Sequence, residues 1–190
     1  MRVESGIRLI EEVKDVPYPI DIRADSIGYG FKDLKGKPEL VSTVPEVSLM
    51  QGMQKALREL CRAETPFFSI GCEQRVGEAG TREHWAKGFI EFAYNFEPAA
   101  RYENYRTLLA NFKESGPFGS VPAPAIFDWV VAPVRLTNHQ VLIHSCSVWI
   151  TARGRKRPAK ARKALDESFE ALGVFLGTVS IGDHDLSPLF

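Results

Sequence analysis

The sequence predicts an α+β fold: a four-stranded, mainly antiparallel sheet with helices on one face. Three observations carry that prediction. Runs rich in aromatic and β-branched residues come in two pairs, 67–76 with 84–96 and 127–136 with 141–151, and each pair is bridged by a turn-prone stretch. Each pair is followed by apolar residues recurring at helical spacing, so the order ββα occurs twice, over 66–113 and 127–177. One further helical stretch precedes both units. Hairpins followed by helices favour an antiparallel sheet covered on one side, with the other side left to solvent or to a partner.

Residues 1–43 mix short apolar stretches with Pro17, Pro19, Gly28, Gly30 and Gly36, and are expected to form a loosely organised lead-in with one or two short strands. At Thr43-Val44-Pro45-Glu46, a Thr cap, an early Pro and a Glu three residues after the cap predict a helix start. Val47, Met50, Leu57, Leu60 and Cys61 carry that helix to about Ala63, ahead of Pro66. In the second strand of the first hairpin, Ile90, Phe92, Tyr94 and Phe96 share one strongly apolar face. Pro98 opens the next helix, with Tyr102, Tyr105, Leu109 and Phe112 as its stripe. A Gly- and Pro-rich crossover follows. After the second hairpin, Pro158 opens the last helix, striped by Leu165, Phe169, Leu172 and Phe175. Residues 44–179 thus read as a single domain and 180–190 as a tail. That tail is either a frayed end or a segment whose Leu186, Leu189 and Phe190 dock on a protein surface.

Composition narrows the class. The chain has 190 residues, 24 Lys+Arg against 24 Asp+Glu, and 44% apolar residues, which excludes a disordered, collagen-like or coiled-coil chain. No apolar run approaches the ~18–20 residues needed to span a bilayer. Glu4 follows Met1 too soon for a signal peptide, so a cytoplasmic protein without membrane contact is expected. Cys61, Cys72 and Cys146 are odd in number and set among apolar neighbours, as expected of reduced core thiols.

There is no phosphate loop, no dinucleotide fingerprint, no His-Glu-x-x-His and no nucleophile elbow, and the four histidines lack paired ligand spacing. No catalytic residue, cofactor or metal is therefore assigned. Cys72 and His84 lie on the two strands of the first hairpin, but with His84 opposite about Arg75 they fall roughly 10 Å apart along the strand, too far for a nucleophile and its base. Arg101, Tyr102 and Tyr105 could set a guanidinium over a ring, or could pack into the core.

One segment breaks a local rule. Arg153, Arg155, Lys156, Arg157, Lys160, Arg162 and Lys163 put seven cations where the last helix begins, leaving an acidic remainder. The positive end of the helix dipole disfavours cations there by about 0.3–1 kcal/mol each. Clustered cations beside free N–H groups describe an anion site, and a solvated basic surface is the plainer account. A sequence pI of about 6.9 argues against a dedicated nucleic-acid binder. Trp85, Trp129 and Trp149 lie on predicted strands, and two of them on the uncovered face would make a patch that seeks a protein partner or a second copy. These features lead to a non-enzymatic binding protein, a subunit of an oligomer or complex, that contacts an anionic partner through 153–163. The alternative is a small enzyme holding an anionic or phosphorylated substrate with the same segment.

Overall fold

Side-chain alternation builds the sheet. In β7 (Ala125–Leu136) the side chains of Phe127, Trp129 and Val131 are fully buried, while those of Ile126 and Asp128 are half-buried on the opposite face. A computed structural model describes residues 4–22, 27–79, 83–122, 124–155, 157–180 and 188–190. The two hairpins are β5 (Phe67–Ala79) with β6 (Glu83–Tyr94), and β7 with β8 (Val141–Arg155). They join through antiparallel pairing of β6 with β8.

The sheet has six strands rather than four, and it is mixed. β1 (Glu4–Leu9) and β2 (Lys14–Val16) both pair in parallel with β7, giving the order β1-β7-β8-β6-β5 with β2 beside β1 on β7. Short strands were expected in this lead-in, but nothing in Glu-Ser-Gly-Ile-Arg-Leu of β1 signals that it joins the main sheet. It is held by the main-chain ladder it adds along an otherwise bare edge of β7. A two-stranded ribbon, β3 (Asp21–Ile22) with β4 (Ile27–Gly28), stands apart.

The helices α1 (Gln51–Leu60), α2 (Tyr102–Glu114) and α4 (Pro158–Thr178) cover one face, and a single turn, α3 (Gly116–Gly119), follows α2. All four residues of the expected α4 stripe are buried, as are Tyr105, Leu109 and Phe112 of α2. Phe112 lies 5.1 Å from Phe175, 5.3 Å from Phe127 and 5.9 Å from Trp129, centroid to centroid, which joins α2, α4 and the sheet in one core. Tyr105 anchors α2. Its hydroxyl donates to the His144 carbonyl at 2.6 Å and accepts from the Tyr94 N–H at 3.3 Å.

The first helix starts later than its sequence signals suggest. Pro45–Val47 is a short 3-10 turn, and the Thr43 hydroxyl bonds back to the Leu40 carbonyl at 2.6 Å instead of capping forward. α1 begins at Gln51 and takes its cap from another helix, since Asp166 Oδ1 on α4 accepts the Gly52 N–H at 2.5 Å. The two helices touch backbone to backbone. A Cβ on Gly173 would sit 2.4 Å from the Ala56 Cα, and one on Gly52 would sit 2.0 Å from the Asp166 carbonyl oxygen. No helix among the described residues is long and apolar enough to cross a membrane.

Candidate functional site

The face without helices is laid out by strand register. Gly77, Trp85 and Arg153 form one row, and Arg75, Lys87, Thr151 and Ile126 form the next. Glu73, Phe89, Trp149 and Asp128 make the third, and Gly71, Glu91, Ser147 and Val130 the fourth. A β-bulge at Ile70 sets this phase: Phe67 and Ser69 face the helices below it, and Cys72 and Gln74 above it.

Half of this face is covered. A strap formed by residues 14–22 and 27–34 crosses it, and the Tyr18 hydroxyl donates to the Ile70 carbonyl at 2.7 Å over Gly71, where a Cβ would come within 2.8 Å of that hydroxyl. Phe190 stacks on Phe68 at 4.5 Å and on Phe31 at 6.0 Å. Asn95 holds that end with both main-chain N–H groups of Leu189 and Phe190 and the Phe190 carbonyl. So Leu189 and Phe190 dock on this chain, while Leu186, Asp183, His184 and Asp185 lie outside the described residues.

At the border of the covered half sits a buried carboxylate. Glu91 is 5% exposed, accepts from the Ser145 hydroxyl at 2.7 Å and pairs with the Lys14 ammonium. Burying a charge without such partners would cost several kcal/mol, so this trio is a condition for the strap to lie down. Lys14 Nζ also lies 5.2 Å from the Tyr18 ring centre. Burial, then the Glu91 carboxylate, hold the Tyr18 hydroxyl well above its usual range.

The other half is open. Phe89 and Trp149 stack at 4.4 Å, and Lys87 Nζ stands 4.6 Å from the Trp149 ring centre. This ridge divides two hollows. A cleft of about 1420 Å³ runs beside β5 and reaches Trp85 and Phe89. A shallower hollow of about 470 Å³ is lined by Lys87, Ile126, Asp128, Trp149 and Thr151. Trp85 and Trp149 thus share the open face, whereas Trp129 is fully buried under the helices.

The structure does not bring the basic segment to one point. Arg153 is exposed on the open face, in register with Trp85. Arg157 precedes the first turn of α4 without a side-chain cap bond, and Lys160, Arg162 and Lys163 are exposed on α4, in the layer behind the sheet. Lys163 pairs with Glu167 at 3.6 Å. The backbone of Arg155 ends β8, but its side chain and Lys156 lie outside the described residues. The segment therefore wraps one end of the sheet, from aromatic face to helix layer.

The thiols point away from nucleophilic chemistry. His84 stands opposite Glu78, not Arg75, so Cys72 and His84 are six positions apart along the strands, about 20 Å. Burial pushes the Cys72 thiol up to about 12 and Cys61 up to about 11, and Cys146 well above its usual value. A nucleophilic thiol needs the opposite shift. Arg101 pairs with Glu97 at 3.8 Å, and Tyr105 belongs to the core. Among the described residues no cluster of three or more His, Cys, Asp or Glu could hold a metal ion.

Lys14, Tyr18 and Glu91 escaped the sequence reading. Glu91 inside an apolar strand was a signal, but its partner Lys14 is 77 residues away and no spacing rule connects them. No protein-family model, curated protein or solved structure matches the chain.

Proposed function

We propose that this is a non-enzymatic binding protein, a subunit of an oligomer or complex, whose open sheet face and segment 153–163 contact an anionic partner. The observation that carries the reading is the register of Arg153 with Trp85, in the row next to Arg75 and Lys87. It joins the start of the cationic segment to an uncovered aromatic surface. Half-buried rings offer apolar contact or stacking, and exposed cations around them select the sign of the partner.

Intrinsic fluorescence provides the test, because Trp85 and Trp149 lie on this face while Trp129 is buried. Titration with a single-stranded oligothymidylate and with polyglutamate is expected to change the emission for one of them. The affinity should fall with salt and drop on combined Arg153→Glu, Lys160→Glu and Lys163→Glu substitution. For the oligonucleotide, the slope should be about 0.7 log unit per log salt for each phosphate contacted. No response to either polymer, or a response indifferent to salt and to these substitutions, rejects the proposal.

A further inference from the structure

β5 is thirteen residues long and ends the sheet. In an antiparallel edge strand, every second residue turns its N–H and C=O away from the sheet. The Ile70 carbonyl is taken by Tyr18. Among the described residues, no main-chain hydrogen bond joins 71–79 to a segment on the outer side of β5. Folded proteins seldom leave so long an edge open without a partner or a cover.

The cleft of about 1420 Å³ runs along that edge and straddles it. Its floor takes Cys72 and Gln74 from the helix side of β5, and Gly71, Glu73 and Arg75 from the open side. The strap forms one wall, and residues 43–49 form the other. A strand laid in such a groove sends alternate side chains to opposite sides of the sheet, which matches the two-sided floor. Walls on both sides admit a single extended segment and obstruct the broad edge of a second folded sheet.

The lining also has a sign. It rests on Glu46: Lys14 and Arg75 pair with Glu91 and Glu73, and Asp15 pairs with Arg135 at 3.0 Å. Glu46 Oε2 is buried with no hydrogen-bond partner among the described residues, next to Gln74, whose amide donates to the Glu46 carbonyl at 2.8 Å. A buried carboxylate oxygen without a donor is costly unless something supplies one. The neighbouring thiol registers the same field, since Glu46 and Glu73 add to burial in raising Cys72.

We infer that the outer edge of β5 is a strand-addition site for an extended, basic peptide segment of another protein. Its main chain bonds to residues 71–77, and a Lys or Arg on the helix side reaches Glu46. The site shares Arg75, Trp85 and Phe89 with the open face but not Arg153, and it does not rest on the anionic-partner reading.

The test is selection from a display library of random peptides about ten residues long against the full chain, followed by anisotropy with the enriched peptides as synthetic probes. Enrichment of Lys or Arg at alternate positions is expected. N-methylation of alternate peptide nitrogens, which removes main-chain donors and leaves the protein untouched, should weaken binding about tenfold or more. Glu46→Gln should weaken it severalfold, while Arg153→Ala should leave it unchanged. The inference fails if nothing is enriched, if acidic peptides are enriched, or if N-methylation has no effect. It also fails if native mass spectrometry shows a dimer that the peptides dissociate, which would assign the edge to a second copy.

Discussion

Lys14 on β2 and Glu91 on β6 meet on the helix-free side of the sheet, and the Ser145 hydroxyl completes the shell around the carboxylate. The contact ties the strap to the middle of the sheet through a charge that is almost out of water. Lys14→Met should therefore cost about 1–3 kcal/mol, because Glu91 keeps its burial and loses its counter-charge. The double change Lys14→Met with Glu91→Gln should recover part of the loss. Urea unfolding of the single and double variants checks both statements, and an unchanged midpoint for Lys14→Met contradicts them.

The α1–α4 contact leaves no room for a methyl group. Gly173→Ala should destabilise by about 1–3 kcal/mol, since its Cβ would collide with the Ala56 backbone and the two helices would have to separate. Asp166→Ala should cost about 1 kcal/mol, the usual value of a lost cap, with no change in helix spacing. Thermal unfolding of the two variants should rank them in that order.

Alkali should loosen the protein. Cys61 and Cys72 ionise in the fold at about 11 and about 12 instead of 9.0. Their neutral forms therefore favour the folded state, an effect fully present below about pH 9 and lost as pH rises toward those values. Lys35, whose charged form is disfavoured by burial, acts in the opposite sense. The comparison that isolates the thiol is Cys72→Ala, whose decline in stability above pH 9 should be shallower than that of the parent. Parallel curves would show that Cys72 has no part in it. At neutral pH the folded protein should react slowly with thiol reagents, and unfolding should expose all three cysteines.

The far end of the chain acts as a clasp. Asn95 is 2% exposed and spends its amide on Leu189 and Phe190. Phe190→Ala should cost about 1–2 kcal/mol through the ring contacts with Phe68 and Phe31. Asn95→Ala should cost about 1–3 kcal/mol. Limited proteolysis should detect earlier release of residues 180–190 in both, and equal cleavage rates would count against the clasp.

Local signals were legible in the sequence, and long-range ones were not. The stripes of α2 and α4 and the apolar face carrying Ile90, Phe92 and Tyr94 all report periodicity, which burial enforces residue by residue. A short strand in the lead-in was expected, but the parallel place of β1 beside β7 was not legible, because it depends on the vacant edge of β7 and not on its own side chains. The start of α1 was misread because Asp166, more than a hundred residues on, supplies what Thr43 was expected to give. Within the site, the seven cations were visible as composition, but only pairing of Arg153 with Trp85 shows which surface the segment adjoins. The Lys14–Glu91 contact and the cleft beside β5 are products of tertiary packing, to which no motif corresponds.

The single extra residue at Ile70 works as a phase shift in β5. Without it, Ser69 and Gly71 would follow each other in ordinary alternation, opposite Phe92 and Glu91 as they are now, so deleting Ile70 should leave Glu73 and Arg75 on the open face and Cys72 toward the helices. Deleting a residue from 72–75 should instead turn over everything beyond it. The strand can therefore shorten at the bulge and nowhere else along that stretch.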